Sequence, residues 1–149
     1  MISIKEIFRL GRGYEFPRPP HCLKEGCGSS RIWKHGFVDV YFDGYDTALC
    51  FRRYICADCG CVYTIRPFGY WPRHHVPVRI IFSSLCHRIK HGVWDKSLFA
   101  RQRQGHWLRA LRRNIKTYLG MSFGGDVIEG FYELLNASVI PVIRRFKQQ

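Results

Sequence analysis

The chain has 149 residues and a formal charge of +13, from 24 Lys or Arg against 11 Asp or Glu. That length holds one domain or two small ones. No apolar run approaches the roughly 18 residues that a membrane-spanning helix needs, which excludes a helical membrane anchor within the sequence.

Residues 1–15 are expected to form a short strand or helix, with Ile4, Ile7 and Phe8 docking on the body. Lys5, Glu6 and Arg9 interrupt the apolar run at this end, unlike the core of a secretory signal. The expected setting is therefore reducing and cytoplasmic, or nucleoid-associated if the source is bacterial, where a CxxC pair signals metal or redox chemistry before a disulfide. The seven cysteines are also odd in number, so disulfides cannot use them all.

After a stiff Phe16-Pro-Arg-Pro-Pro20 approach come two cysteine pairs, Cys22-Leu-Lys-Glu-Gly-Cys27-Gly28 and Cys56-Ala-Asp-Cys59-Gly60. Intervals of two and four residues suit ligands of one tetrahedral ion, and a glycine after each pair suits a tight turn. The 28 residues between the pairs read as one long hairpin, with Ile32 to Phe42 outward, an Asp43-Gly44 turn and Ala48 to Ile55 returning. Val38, Val40 and Phe42 alternate with Asp39 and Tyr41, as a half-buried strand requires. A third strand is expected over Cys61 to Ile65. Residues 16–65 thus form a small zinc ribbon, with Cys22, Cys27, Cys56 and Cys59 holding one structural Zn²⁺. Cys61 and Cys50 stand as alternative ligands if the register differs, or as packing residues together with Cys86. His21 and His35 are placed beside the site or on the surface. A segment of about fifty residues buries too little apolar surface to be stable unaided, and metal is the usual remedy.

Residues 66–77 hold three prolines with Phe68, Tyr70 and Trp71, which rules out a continuous helix and suggests a linker whose aromatics pack on the ribbon. The remainder, 78–149, is expected to be a basic helical domain. The interval from Arg73 to Lys116 has eleven Lys or Arg and one acid, Asp95, so it carries +10 of the total charge. A solvated face mixes signs, and a stretch this poor in acid points to a polyanion: nucleic acid first, an anionic membrane surface second. Val78 to His91 reads as a helix closed by Gly92, with Ile81, Leu85 and Ile89 on its buried face. His87 and His91 lie one turn apart but lack the Glu of a zinc-protease helix. A turn or short helix follows to Phe99. The next helix, from Ala100 to Leu119, is expected to bury Leu108, Leu111, Ile115 and Leu119, with Gly105 as a possible break. Its candidate nucleic-acid contacts are Arg101, Gln102, Arg103, His106, Arg109, Arg112, Arg113 and Lys116. Arg pairs with guanine and Gln with adenine in the major groove. Asp126 and Glu129 have the spacing of a capping box, and a last helix is expected over 138–146. The C-terminal helices offer a possible homodimer contact.

The segments Cys27-Gly-Ser-Ser-Arg-Ile-Trp-Lys-His-Gly36 and Arg53-Tyr-Ile-Cys-Ala-Asp-Cys-Gly-Cys-Val-Tyr-Thr64 resemble the zinc ribbon of insertion-sequence transposases and their relatives. This chain departs from that pattern by two extra residues in the first pair and by Cys61 in place of an arginine. Arg101-Gln-Arg-Gln-Gly-His-Trp-Leu-Arg109 is similar to the start of the reading helix in mobile-element proteins that join such a ribbon to a helix-turn-helix. The resemblance implies an α+β protein, a ribbon followed by a helix-turn-helix-like region, binding double-stranded DNA in transposition or its regulation. No catalytic role is expected. The acids Asp39, Asp43, Asp46 and Asp58 fall on turns and hairpin, and Asp126, Glu129 and Glu133 read as a helix cap and a solvated face.

Overall fold

A computed structural model describes residues 2–143 as a mixed α+β chain that divides into two compact units, 1–76 and 77–149. The first unit holds helix α1 (Ile4–Leu10), a 3₁₀ turn (Gly11–Gly13) and three strands, β1 (Ile32–Val40), β2 (Leu49–Cys56) and β3 (Val62–Thr64). The strands form one antiparallel sheet in the order β1-β2-β3. Ser3 caps α1 by accepting the Glu6 amide hydrogen, and Ile7 is buried against Phe42, Leu49 and Phe51. The N-terminal segment is therefore part of this unit's core. Phe8 stays largely exposed beside the Tyr45 ring.

The register of β1 against β2 shifts between Lys34 and Phe37. A bulge of this kind adds a residue to one strand and sharpens its twist. Beyond it, Phe37 faces Arg52 across the sheet, and the guanidinium lies 3.7 Å from the ring centroid. The outward strand ends at Val40 rather than Phe42, because Phe42 turns into the core and packs on Phe51 and Tyr70. Tyr70 is thus a packing residue, whereas Phe68 is exposed and Trp71 rests against His74. A second cluster at the base of the hairpin gathers Ile32, Tyr54, Cys22 and Cys56. Phe16 packs against both clusters, and its carbonyl accepts the Tyr54 hydroxyl at 2.9 Å.

The second unit contains α2 (Val78–His91), α3 (Arg101–Tyr118) and α4 (Val127–Asn136). Ile81 and Leu85 of α2, Trp107, Leu108 and Leu111 of α3, and Phe131 and Leu134 of α4 are buried. Ile89, expected inside, is 42 % exposed. The apolar face of α2 ends a turn earlier than its periodicity suggested.

Gly105 does not break α3. Gln104 and Trp107 on either side are buried and anchor its first turns. Gln104 accepts from Ser84 Oγ of α2 at 2.6 Å and donates to the carbonyls of Asp95 and Phe99 at 2.8 and 2.6 Å. A polar side chain thereby ties α2 and the 92–100 connection to α3.

Against α3, Gly130 of α4 leaves no room for a side chain: a Cβ there would meet Ile115 Cδ1 at 2.4 Å. Asp126 and Glu129 form the capping box of α4. Residues 138–143 form no helix. Val142 is buried and Asn114 of α3 donates to the Pro141 carbonyl at 2.8 Å. The helix expected over 138–146 is absent there, and its residues 144–146 lie outside the described part.

Candidate metal centre and basic cavity

The sulfurs of Cys22, Cys27, Cys56 and Cys59 all lie within 4.8 Å of one another. Each pair sits in a turn at one foot of the hairpin, before β1 or after β2. Gly28 and Gly60 follow the second cysteine of each pair with φ of 57° and 69°, a region that costs glycine little. The resulting turns aim amide hydrogens at the sulfurs. Lys24 donates to Cys22, Ser29 to Cys27, Asp58 and Cys59 to Cys56, and Cys61 to Cys59. Each turn is also closed through the backbone, Cys22 N–H to the Ser29 carbonyl at 2.7 Å and Cys56 N–H to the Cys61 carbonyl at 2.9 Å.

A tetrahedral ion with metal–sulfur bonds of about 2.3 Å needs sulfurs about 3.8 Å apart. The closest approaches here are 3.5 Å for Cys22 with Cys59 and 3.8 Å for Cys27 with Cys56. Four cysteines, one from each end of two turns, are therefore spaced to hold one metal ion. Among the described residues, Cys50, Cys61, His21 and His35 are not part of this cluster.

The electrostatics of the four thiols are unequal. Amide hydrogens from Cys59 and Asp58 lower Cys56 from 9.0 to about 6, against the effect of burial. Cys59 receives the Cys61 amide, but burial and the three other thiols prevail and push it up to about 12. For Cys22, burial is outweighed by the Tyr63 hydroxyl and the Lys24 amide, so its thiol is lowered. Cys27 is raised because the neighbouring thiols and burial overcome the Ser29 amide. Such a cluster favours some thiolates before an ion arrives and needs an ion to ionise the rest.

Four residues besides the cysteines complete the centre: Tyr63, Asp58, Arg31 and Ser29. Tyr63 Oη accepts the amide hydrogens of Leu23 and Lys24, both at 3.1 Å, and lies 2.7 Å from Cys22 Sγ. With two donors already on its oxygen, the phenol directs its own proton to that sulfur. Asp58 in the second turn accepts from Arg31 at 2.6 Å and from Ser29 Oγ, which lashes the two turns together. Tyr63 is visible in the sequence only as the central residue of a short strand after the second pair. Its partner is set by the fold.

The candidate nucleic-acid residues of α3 separate into groups. Arg109, Arg112, Arg113 and Lys116 are exposed and recur at helical spacing on one face. Arg101, Gln102, Arg109 and Arg112 line an open cavity of about 520 Å³ together with Arg88 and Trp94. Arg103 is directed elsewhere: its guanidinium lies 4.5 Å from the Phe99 ring centroid. His106 Nδ1 is 2.8 Å from Arg109 Nη2, and Arg113 donates to the Ile143 carbonyl at 3.3 Å. Arg88 and Trp94 were not among the sequence candidates, since they sit on a different helix and in a connection. No helix among the described residues is long and apolar enough to cross a membrane.

Comparison with known proteins finds no matching family model, no matching curated protein and no matching solved structure.

Proposed function

We propose that this is a zinc-stabilised DNA-binding protein, an accessory or regulatory factor of a mobile element, in which a zinc ribbon precedes a basic helix-turn-helix-like module. The observation that carries the reading is the solvent face of α3. Arg109, Arg112, Arg113 and Lys116 stand three and four residues apart there, and none of them has a carboxylate partner among the described ion pairs. Like charges at such spacing destabilise a helix on their own, and phosphates of a duplex relieve that repulsion. The module is helix-turn-helix-like in element order only. Nine residues, 92–100, separate α2 from α3, where three or four are usual.

Zinc is the ion we assign to the cluster. An all-thiolate tetrahedral set suits it, and four protein ligands leave no position for an activated water, so the metal is structural. Four of the described carboxylates have structural roles, which supports a non-enzymatic reading. Asp126 and Glu129 cap α4, Asp58 pairs with Arg31, and Asp95 is held by Ser97. The mobile-element setting rests on the resemblance of residues 27–36 and 53–64 to transposase ribbons.

Titration of the zinc-loaded protein against a labelled DNA duplex at several salt concentrations tests this reading. With about six phosphates neutralised, log affinity falls against log salt with a slope of roughly −5. A flat response overturns it. A second reading, RNA or single-strand binding, is favoured by the hairpin's Trp33 and Tyr41, 58 % and 66 % exposed, which offer faces for base stacking. Phe37 and Phe51 do not join them, as Phe37 is covered by Arg52 and Phe51 is buried. A preference for RNA over duplex in direct competition would select that second reading.

A further inference from the structure

The cavity beside the start of α3 has a composition that the duplex-binding reading does not need. Four guanidiniums, from Arg88, Arg101, Arg109 and Arg112, share one concave surface with Trp94 and Gln102, and no carboxylate among the described residues lines it. Four like charges around one hollow repel one another unless an anion enters. Its volume is within the range of small-ligand sites, far more than a bare phosphate fills.

Two further details shape the cavity. The Arg88 guanidinium lies 5.4 Å from the Trp94 ring centroid, a contact that helps hold the indole in the cavity wall. Gly105 sits within the helix, where glycine is unfavourable, and a Cβ there would come 3.3 Å from Arg109 Nη1. The missing side chain lets Arg109 lie back along the helix toward His106.

We propose that this cavity binds a nucleoside phosphate. The guanidiniums take the phosphate oxygens, where their planar forks give bidentate bonds. Trp94 stacks on the base, and the Gln102 amide, with both donors and an acceptor, meets the base edge. As an unpaired or terminal nucleotide of a strand, this ligand rests on the nucleic-acid reading above; as a free nucleotide it stands without it.

The experiment uses the full zinc-loaded chain and two DNAs, a blunt duplex and the same duplex with a 5′-phosphorylated unpaired tail. Fluorescence anisotropy gives both affinities, and tryptophan emission follows titrations with AMP, adenosine and inorganic phosphate. We expect the tailed duplex to bind about tenfold or more tightly than the blunt one, the scale of one stacked base. AMP should quench emission at lower concentration than adenosine or inorganic phosphate. Trp94→Leu should abolish both the quenching and the tail preference while blunt-duplex affinity stays unchanged. Arg88→Ala, whose fold is checked by circular dichroism, should weaken AMP and tail binding about tenfold. AMP quenching without a tail preference identifies the free nucleotide as the ligand. Equal binding of both duplexes together with no AMP response overturns the proposal and leaves duplex binding standing. Failure of both duplexes with a retained AMP response supports the cavity and overturns the DNA reading.

Discussion

Tyr63 supplies a side-chain hydroxyl to the thiol cluster, set 2.7 Å from Cys22 Sγ and backed by two amides. Partners of metal ligands orient them and tune their basicity. Tyr63→Phe should retain the metal but weaken its binding about tenfold, the low end of such effects; competition with a chromophoric chelator measures this. Cys56→Ser removes a ligand outright, so the expected result is loss of the ion and of the sheet signal in circular dichroism. The pH response follows from Cys56. Its thiol is lowered from 9.0 to about 6 by amide hydrogens, so its stabilising effect is full above about 9 and is lost as pH falls through about 6. Protons compete with the ion in the same direction, and metal release should therefore rise as pH drops through 6. The four cysteines were legible because knuckle spacing is local. Tyr63 and Asp58 were not, since their partners come from residues 22 to 31, across the hairpin.

At the scale of elements, two helical glycines make opposite predictions. Gly105→Ala meets only the movable end of Arg109 and should raise the helical unit's stability by about 0.5–1 kcal/mol, the usual gain of Ala over Gly within a helix. Gly130→Ala drives a methyl into Ile115 between α3 and α4 and should cost about 1–3 kcal/mol, as overpacking does. Urea melts of both variants report the two signs. The bounds of α2 and the cap of α4 could be read directly, because Gly92, Asp126 and Glu129 announce them. The continuity of α3 could not. A glycine among charged and polar residues looks like a break, and nothing in a sequence marks Gln104 as a buried tether between α2 and the connection before α3. The periodicity of Ile81, Leu85 and Ile89 likewise overstated the buried face, because periodicity shows which residues align and not how far the neighbouring helix extends.

For the molecule as a whole, the division at 76 and 77 separates two kinds of stability. Among the described residues the sheet unit has two small clusters, one of them containing cysteines, and so little core would make the unit dependent on an ion held by those cysteines. The helical unit buries residues from each of α2, α3 and α4. Chelation should therefore abolish the sheet unit's melting transition while most of the helical signal near 222 nm persists; one transition indifferent to chelator would contradict this. Charge follows the same division, with 13 Lys or Arg against 4 acids in residues 77–149 and 11 against 7 in residues 1–76. That asymmetry could be read from the first pass along the chain. The docking of Ile7 and the packing of the 66–77 aromatics on the ribbon were legible too, but their shared partner Phe42 was not, because long-range packing sets it. Cys22 and Cys59 are sulfur neighbours despite a separation of 37 residues. An ion between them would fasten the ends of a long loop, as a staple does, yet would open without any covalent bond being cut. The strength of that fastening grows with the logarithm of free metal, so the finger's persistence would track how much metal the surrounding medium supplies.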